Sequence, residues 1–197
     1  MTDKKQQRFR QMREESSALI RRAAMQLFAR KGYGNTSMDE IAREAGVSKG
    51  LIYNYFDSKQ SLLLAIIREG IELLRHLECS IYDSGAPPKA VLTHLLEAVF
   101  QAATEQPDYW RLYTLMLLKG NTFELVQQPL HDFMNESLQR MAGLFKQLSV
   151  KNPNLEARFL AATLDGVLLH YLFTPKDYPL QQMQEHLLKR FLPTQNK

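Results

Sequence analysis

The sequence has a single cysteine, Cys79, so no disulfide can form within the chain. It has no apolar run of the ~18 residues that a membrane-crossing helix needs, and no secretory leader. A soluble, cytoplasmic protein without a membrane partner is expected. The five histidines (His76, His94, His131, His170, His186) form no H-x-x-x-H or H-E-x-x-H pair. G-x-S-x-G, a phosphate-binding loop and a nucleotide-binding glycine fingerprint are all missing. His76 lies one turn from Cys79, but on an apolar helical pattern where the cysteine is expected to be buried as a small hydrophobe. These absences exclude the usual constellations for nucleophilic, metal-dependent and nucleotide-dependent chemistry. No catalytic residue, metal site or cofactor is expected. No stretch keeps a period-2 alternation, so no sheet is expected either.

What the chain does have is apolar content and an uneven charge. Hydrophobic residues make up 45% of its 197 residues and charged residues 23%, enough for a sizeable core and against disorder. The net charge is +4. Residues 1–60 carry 12 Lys/Arg against 7 Asp/Glu, whereas residues 61–197 carry 13 against 14. All of the excess positive charge therefore sits at the N-terminal end, which suits a partner that is a polyanion.

Helical signals follow one another along the chain. Residues 1–15 are polar and basic (Lys4, Lys5, Arg8, Arg10, Arg13) and read as a flexible arm that can join the first helix. That helix is expected from Ser16 or Ser17, as N-cap, to Lys31, with Ile20, Ala24, Leu27 and Phe28 inward and Gly32 at its end. A fourth helix is expected from Ser58 or Lys59 to about Ile81, ~35 Å long. Asp83-Ser84-Gly85-Ala86-Pro87-Pro88 breaks it. Further helices are expected near 88–105, 108–119, 123–149, 154–173 and 180–192, with Pro129 kinking or splitting the third of these.

The most informative stretch is TSMDEIAREAGVSKGLIYNYFDSK, residues 36–59. Ser37 can cap a short helix, and Glu40 stands at capping-box spacing. Met38, Ile41, Ala42 and Ala45 make one apolar face. Gly46 supplies a turn where a left-handed backbone costs least. Val47 plugs the core and Ser48 caps the next helix, in which Ile52 and Phe56 point inward. Lys49, Gly50, Tyr53 and Asn54 are left facing out, with no acid among them. Lysine and tyrosine reach phosphates, asparagine bonds base edges, and glycine lets a backbone approach the duplex. This is the layout of a helix-turn-helix, over about residues 37–56, that places its second helix in the DNA major groove.

At this point the chain resembles a family. The run T-S-M-x-x-I-A-x-x-A-G-V-S-K-G-x-I-Y-x-Y-F-x-S-K-x-x-L from Thr36 to Leu62, with A-x-x-L-F-A-x-K-G-Y from Ala24 to Tyr33, is similar to the DNA-binding segment of TetR-type bacterial transcriptional regulators. The match covers about residues 16–67. It implies that Thr36 and Ser37 bond phosphates at the start of helix 2. Ser48 and Lys49 would open the recognition helix, and Gly50 would pack on the duplex. Tyr53, Tyr55 and Lys59 would hold phosphates, although Tyr55 stands where many relatives have histidine. Leu51 and Asn54 occupy variable positions, suited to a thymine methyl and a base edge respectively.

The resemblance also implies an all-α fold of about nine helices. A helix-turn-helix domain over 16–60 would be joined by the long helix 4 to a ligand-binding and dimerisation domain over 61–197. The helix at 154–173 is more apolar than one face requires. It and the last helix offer Phe159, Ala162, Gly166, Leu169, His170, Phe173, Leu187 and Phe191 as a homodimer surface. Aromatic and methionine side chains of the middle helices, with His94, could line a pocket for a small apolar or aromatic effector: Phe100, Trp110, Tyr113, Met116, Phe133, Met134 and Met141. The function implied is a homodimeric repressor on palindromic double-stranded DNA, released by that effector. The alternatives are an activator of the same family, or a helical small-molecule or lipid carrier whose helix-turn-helix is not used on DNA.

Overall fold

The computed structural model describes residues 2–118 and 124–192. Among these the chain is helical, with no strand. The order is α1 (Thr2–Lys31), α2 (Met38–Glu44), α3 (Lys49–Tyr55), α4 (Lys59–Tyr82), α5 (Pro88–Glu105), α6 (Pro107–Leu118), α7 (Glu124–Gln147), α8 (Pro153–Phe173) and α9 (Leu180–Phe191). The expected break at Gly120-Asn121 lies outside the described residues.

The first helix departs from expectation. Residues 2–15 take the joined form that their reading allowed and make the opening turns of α1, so the helix does not begin at Ser16 or Ser17. This stretch holds no glycine or proline, and its Lys, Gln, Arg, Met and Glu are good helix formers. Once residues 16–31 are helical, each added residue extends an existing nucleus rather than starting one. Ser16 does not cap. Its hydroxyl donates to the Met12 carbonyl at 3.0 Å, the back-bonding that a mid-helix serine makes. Pro129 likewise does not split α7, which runs unbroken through it.

A first core cluster joins the helix-turn-helix to the helices of the body. Ile20, Ala24, Leu27 and Phe28 of α1, Ile41 of α2, Ile52 of α3 and Leu62, Ile66 and Ile67 of α4 form a single buried cluster with Leu112 of α6 and Val126 and Leu130 of α7. The helix-turn-helix therefore rests directly on the body and not only on the stem of α4. A second cluster fills the far end, from Val91 and Leu92 of α5 through Leu144 and Phe145 of α7 to Leu160 of α8. Leu187 and Phe191 of α9 lie inside it, 3% and 5% exposed. Those two side chains are core residues of one protomer, not the dimer surface expected of them. Phe191 turns inward to stack on Phe145, ring centroids 6.0 Å apart.

Polar ties hold α4 to its neighbours. Arg21 of α1, mostly buried, donates to Glu69 at 2.6 Å and to Glu14 at 3.0 Å. Arg75 pairs with Glu136 of α7 at 2.9 Å. Gly70 is the close-approach point: a Cβ there would lie within the ring of Tyr109 on α6.

Candidate nucleic-acid interface and ligand cavity

The local chemistry of residues 32–59 explains their shape. Gly32 leaves α1 with a left-handed φ of 84°. Ser37 caps α2: its Oγ accepts the Glu40 N–H at 3.2 Å, and Glu40 accepts the Ser37 N–H at 3.0 Å. Those bonds, with Lys31 at 3.0 Å, pull the Glu40 carboxyl down to about 2. At the other end, the N–H of Gly46 (φ 68°) bonds Arg43 O and that of Val47 bonds Ala42 O. This is the Schellman closure that a left-handed glycine permits. Ser48 then caps α3, accepting the Leu51 N–H at 3.1 Å.

Two short helices are thus set by three polar caps, and the buried Ile52 and Phe56 fix the roll of α3. That roll leaves Ser48, Lys49, Gly50, Tyr53 and Asn54 exposed, with Ser37 exposed at the start of α2. Leu51 is half-buried. Lys49 is not idle: its ammonium meets Asp39 at 2.8 Å, and that bond raises its pKa.

Three of the expected contacts sit elsewhere. Thr36 is buried, 2% exposed, and its hydroxyl donates to the Gly32 carbonyl at 3.0 Å. Lys59 donates to the carbonyls of Tyr33 at 2.8 Å and Thr36 at 2.7 Å, and lies 4.4 Å over the Tyr33 ring. Thr36 closes the 32–37 loop on itself and Lys59 staples that loop to the start of α4, so neither reaches outward. Tyr55 is half-buried, packed against the core with the Arg13 guanidinium 5.7 Å over its ring. That contact brings the basic start of α1 against the end of the recognition helix.

In the body, side chains of α4 to α8 line a partly open cavity of about 200 Å³. Trp110, Tyr113, Phe133, Met134 and Met141 line it, as the sequence suggested. His94 and Phe100 do not: His94 is exposed on the outer side of α5 and Phe100 is buried in the second core cluster. The Met116 side chain lies outside the described residues. Trp110 sits edge-on between Tyr109 and Tyr113, with centroids at 6.2 and 5.6 Å.

Sequence reasoning missed most of the remaining wall, including its two acids, Glu78 of α4 and Asp165 of α8. A signal existed for the second: Asp165 is the only acid between Ala157 and Phe173. Burial pushes both carboxyls up from their ordinary values. It raises Tyr109 to about 12 and Tyr113 higher still. The Cys79 thiol is only half-buried and accepts from Arg140 Nη1 at 3.2 Å, so it is not the buried small hydrophobe expected.

On α8, Leu155, Phe159 and Phe173 are 66%, 50% and 78% exposed. Ala162 and His170 are exposed and Gly166 and Leu169 half-buried along the same helix.

This architecture can be set beside known proteins. A model for the N-terminal segment of bacterial regulatory proteins of the tetR family matches residues 20–66. A second, for the C-terminal part of BetI-type transcriptional repressors, matches residues 88–195, more than half of the chain. The chain belongs to the TetR family of bacterial transcriptional regulators. Among TetR-family relatives, the regulator BetI of Agrobacterium fabrum is 36% identical over 150 residues, 76% of this chain and 73% of that one. The uncharacterized regulator YuxN of Bacillus subtilis is 32% identical over 161 residues, 81% of this chain. This chain spans only about half of YuxN's length, 54%. Among solved structures, a transcriptional regulator from Saccharomonospora viridis in complex with choline superposes with a TM-score of 0.81 at 22% identity, over 92% of this chain and 97% of that one. At that identity the likeness is one of fold. Among the described residues no helix is long and apolar enough to cross a membrane.

Proposed function

We propose that the chain acts as a homodimeric, ligand-released repressor. Two copies of the α3 face would read the half-sites of a palindromic operator, and a small molecule in the α4–α8 cavity would move them out of register. The observation that carries the DNA half is the outer face of α3. Six exposed positions, Ser37, Ser48, Lys49, Gly50, Tyr53 and Asn54, offer phosphate donors and a base-edge reader without one acid on α3 itself. Asp39 holds Lys49 in the free protein, and a phosphate would take its place. The basic start of α1 supports the same reading. It is a helix carrying Lys4, Lys5, Arg8 and Arg10 beside the reader, suited to following a phosphate backbone.

A dimer is favoured by the exposed apolar stripe of α8, which water covers poorly and a second copy would cover well. Two readers on one duplex also supply the specificity that a single small reader lacks. Release is favoured by α4, whose first turns sit in the core under the reader and whose last turns line the cavity. An effector that binds the off-DNA arrangement better shifts the equilibrium by its differential affinity, ~1–3 kcal/mol in such switches. The choline held by the Saccharomonospora viridis protein illustrates an effector for that protein; the effector of this chain follows from its own side chains. A cytoplasmic location fits a protein that works on DNA.

Titration of a mixed-sequence duplex over a series of salt concentrations tests the DNA half. The expected outcome is a logarithmic affinity that falls linearly and steeply with logarithmic salt, as counterions are released. A flat response would leave the helical carrier as the better description.

A further inference from the structure

The recognition helix α3 carries a single formal charge, that of Lys49. In the free protein this charge does not stand open to an approaching duplex. The Lys49 ammonium donates to Asp39 Oδ2 at 2.8 Å, and that carboxylate belongs to the first turn of α2. The other two acids of α2 answer α1: Glu40 meets Lys31, and Glu44 meets Arg30. Asp39 is the one that answers the reader.

The fold has little need of this pair. Both side chains are more than half exposed, 66% for Lys49 and 53% for Asp39, and an ion pair in that setting adds little stability. The angle between α2 and α3 is set instead by the Gly46 turn, the Ser37 and Ser48 caps, and the buried Ile41 and Ile52. What the pair changes is the field. Lys49 opens α3, where the backbone dipoles already make the end positive and the first turn holds no acid. Asp39 supplies the missing acid from across the turn. With it in place α3 offers DNA no net charge, and the strongly basic segment beside the reader is the start of α1, with Lys4, Lys5, Arg8 and Arg10. Capture of a polyanion and reading of its sequence are thereby assigned to different helices.

The separation matters because binding without sequence preference is electrostatic: each cation that neutralises a phosphate releases counterions, whatever the bases are. A lysine that brings its own carboxylate gains only the difference between that carboxylate and a phosphate. When Lys49 moves to the backbone, one ion leaves the DNA and one is taken up at Asp39, so the exchange is nearly neutral toward salt.

We infer that Asp39 is a built-in competitor for the DNA backbone: it holds Lys49 until a phosphate displaces it, and so keeps α3 from gripping duplexes of every sequence. Asp39 is thus a positioning residue that acts through Lys49, and the inference rests on the DNA-reading face proposed above.

Four full-length proteins test it: the parent, Asp39→Asn, Lys49→Ala and the double variant, each titrated with a mixed-sequence duplex over a salt series. Asparagine keeps the size of the side chain and removes its charge, so thermal unfolding should hardly move. Asp39→Asn is expected to bind about two- to fivefold tighter for each reader engaged, with a salt slope steeper by about 0.9 for each. In the Lys49→Ala background the same substitution should lose most of that gain. A gain of equal size without Lys49 would make Asp39 merely one negative charge near DNA and would overturn the inference, as would an unchanged or weaker affinity in D39N. The parent keeps this apart from the regulator reading. A parent whose binding ignores salt sinks that reading and the inference with it, whereas a steep parent that D39N merely reproduces sinks the inference alone.

Discussion

The reader and the cavity follow opposite rules. In residues 32–59 the capping groups are answered within a few positions: Ser37 by Glu40, Ser48 by Leu51, and Thr36 by Gly32. In the cavity, the buried Trp110 N–H has no partner, Asp165 makes no hydrogen bond or ion pair among the described residues, and Glu78 is met by Ser137 and, at 3.9 Å, by Arg140. The reader is shaped before anything binds it, as a part that must hold the same side chains at the same spacing should be. The cavity keeps unanswered groups that a ligand can satisfy, and some stability is forgone where they stand. Between the two runs α4, buried at its start and lining the cavity at its end.

The largest expected effect breaks the reader without touching its scaffold. Lys49→Ala with Tyr53→Ala should weaken DNA binding by about 2 kcal/mol or more, ~30-fold, with thermal unfolding unchanged because both side chains are exposed. Electrophoretic titration beside calorimetry checks both halves, and undiminished binding would dissolve the assignment of α3 as the contact surface.

Next comes the joint between the regions. Gly70→Ala places a methyl group in the Tyr109 ring, and overpacking of this kind costs about 1–3 kcal/mol. In a Tyr109→Ala background the same change should cost little, so chemical denaturation of the four proteins would show strong coupling. Additive losses would mean that α4 and α6 do not bear on each other there.

Changing Lys4, Lys5, Arg8 and Arg10 to glutamine should flatten the salt dependence of DNA binding, by about 0.9 in slope for each phosphate no longer neutralised, while sequence preference stays the same. An unchanged slope would leave the start of α1 a solvated helix.

The smallest effect concerns the cavity. Burial holds the Asp165 carboxyl above its ordinary 3.8, so the native protein keeps that proton more tightly than the unfolded chain. The group's penalty is therefore absent below 3.8, grows as pH rises toward the raised native value, and is complete above it. Asp165→Asn removes the penalty. The variant should unfold at a slightly higher temperature near neutral pH, with the advantage shrinking as pH falls. A variant less stable than the parent at neutral pH would mean that Asp165 has a structural partner.

The contrast also explains what could be read from the sequence. Caps and turns are local, so Ser37 with Glu40, Gly46 and Ser48 were legible from spacing alone, and so were the breaks that bound α4, α5, α8 and α9. The start of α1 was placed too late, at Ser16 or Ser17, because polar, basic residues without a breaker suit a helix as well as a tail. Thr36 and Lys59 fit a phosphate-binding pattern, yet each finds carbonyls of the intervening loop, a tertiary fact that no spacing records. Which side of α9 turns inward was equally hidden. Leu187 and Phe191 have the look of a surface for a second copy, and packing into the second cluster, where Phe191 stacks on Phe145, makes them core. Five aromatic and methionine residues of the cavity were found by composition. Its two acids were not, because a carboxylate on an apolar helix reads as solvent-facing until the packed neighbours are known.

Everything above turns on whether this chain carries one half of a paired reader of DNA sequence. Selection of bound duplexes from a random pool by the full chain answers that without knowledge of the operator. Enrichment of a two-fold symmetric site is expected, with halves about one helical turn or more apart, and the enrichment should vanish in the Lys49→Ala/Tyr53→Ala protein. Recovery of no enriched site, or of a site without two-fold symmetry, would contradict the paired reader.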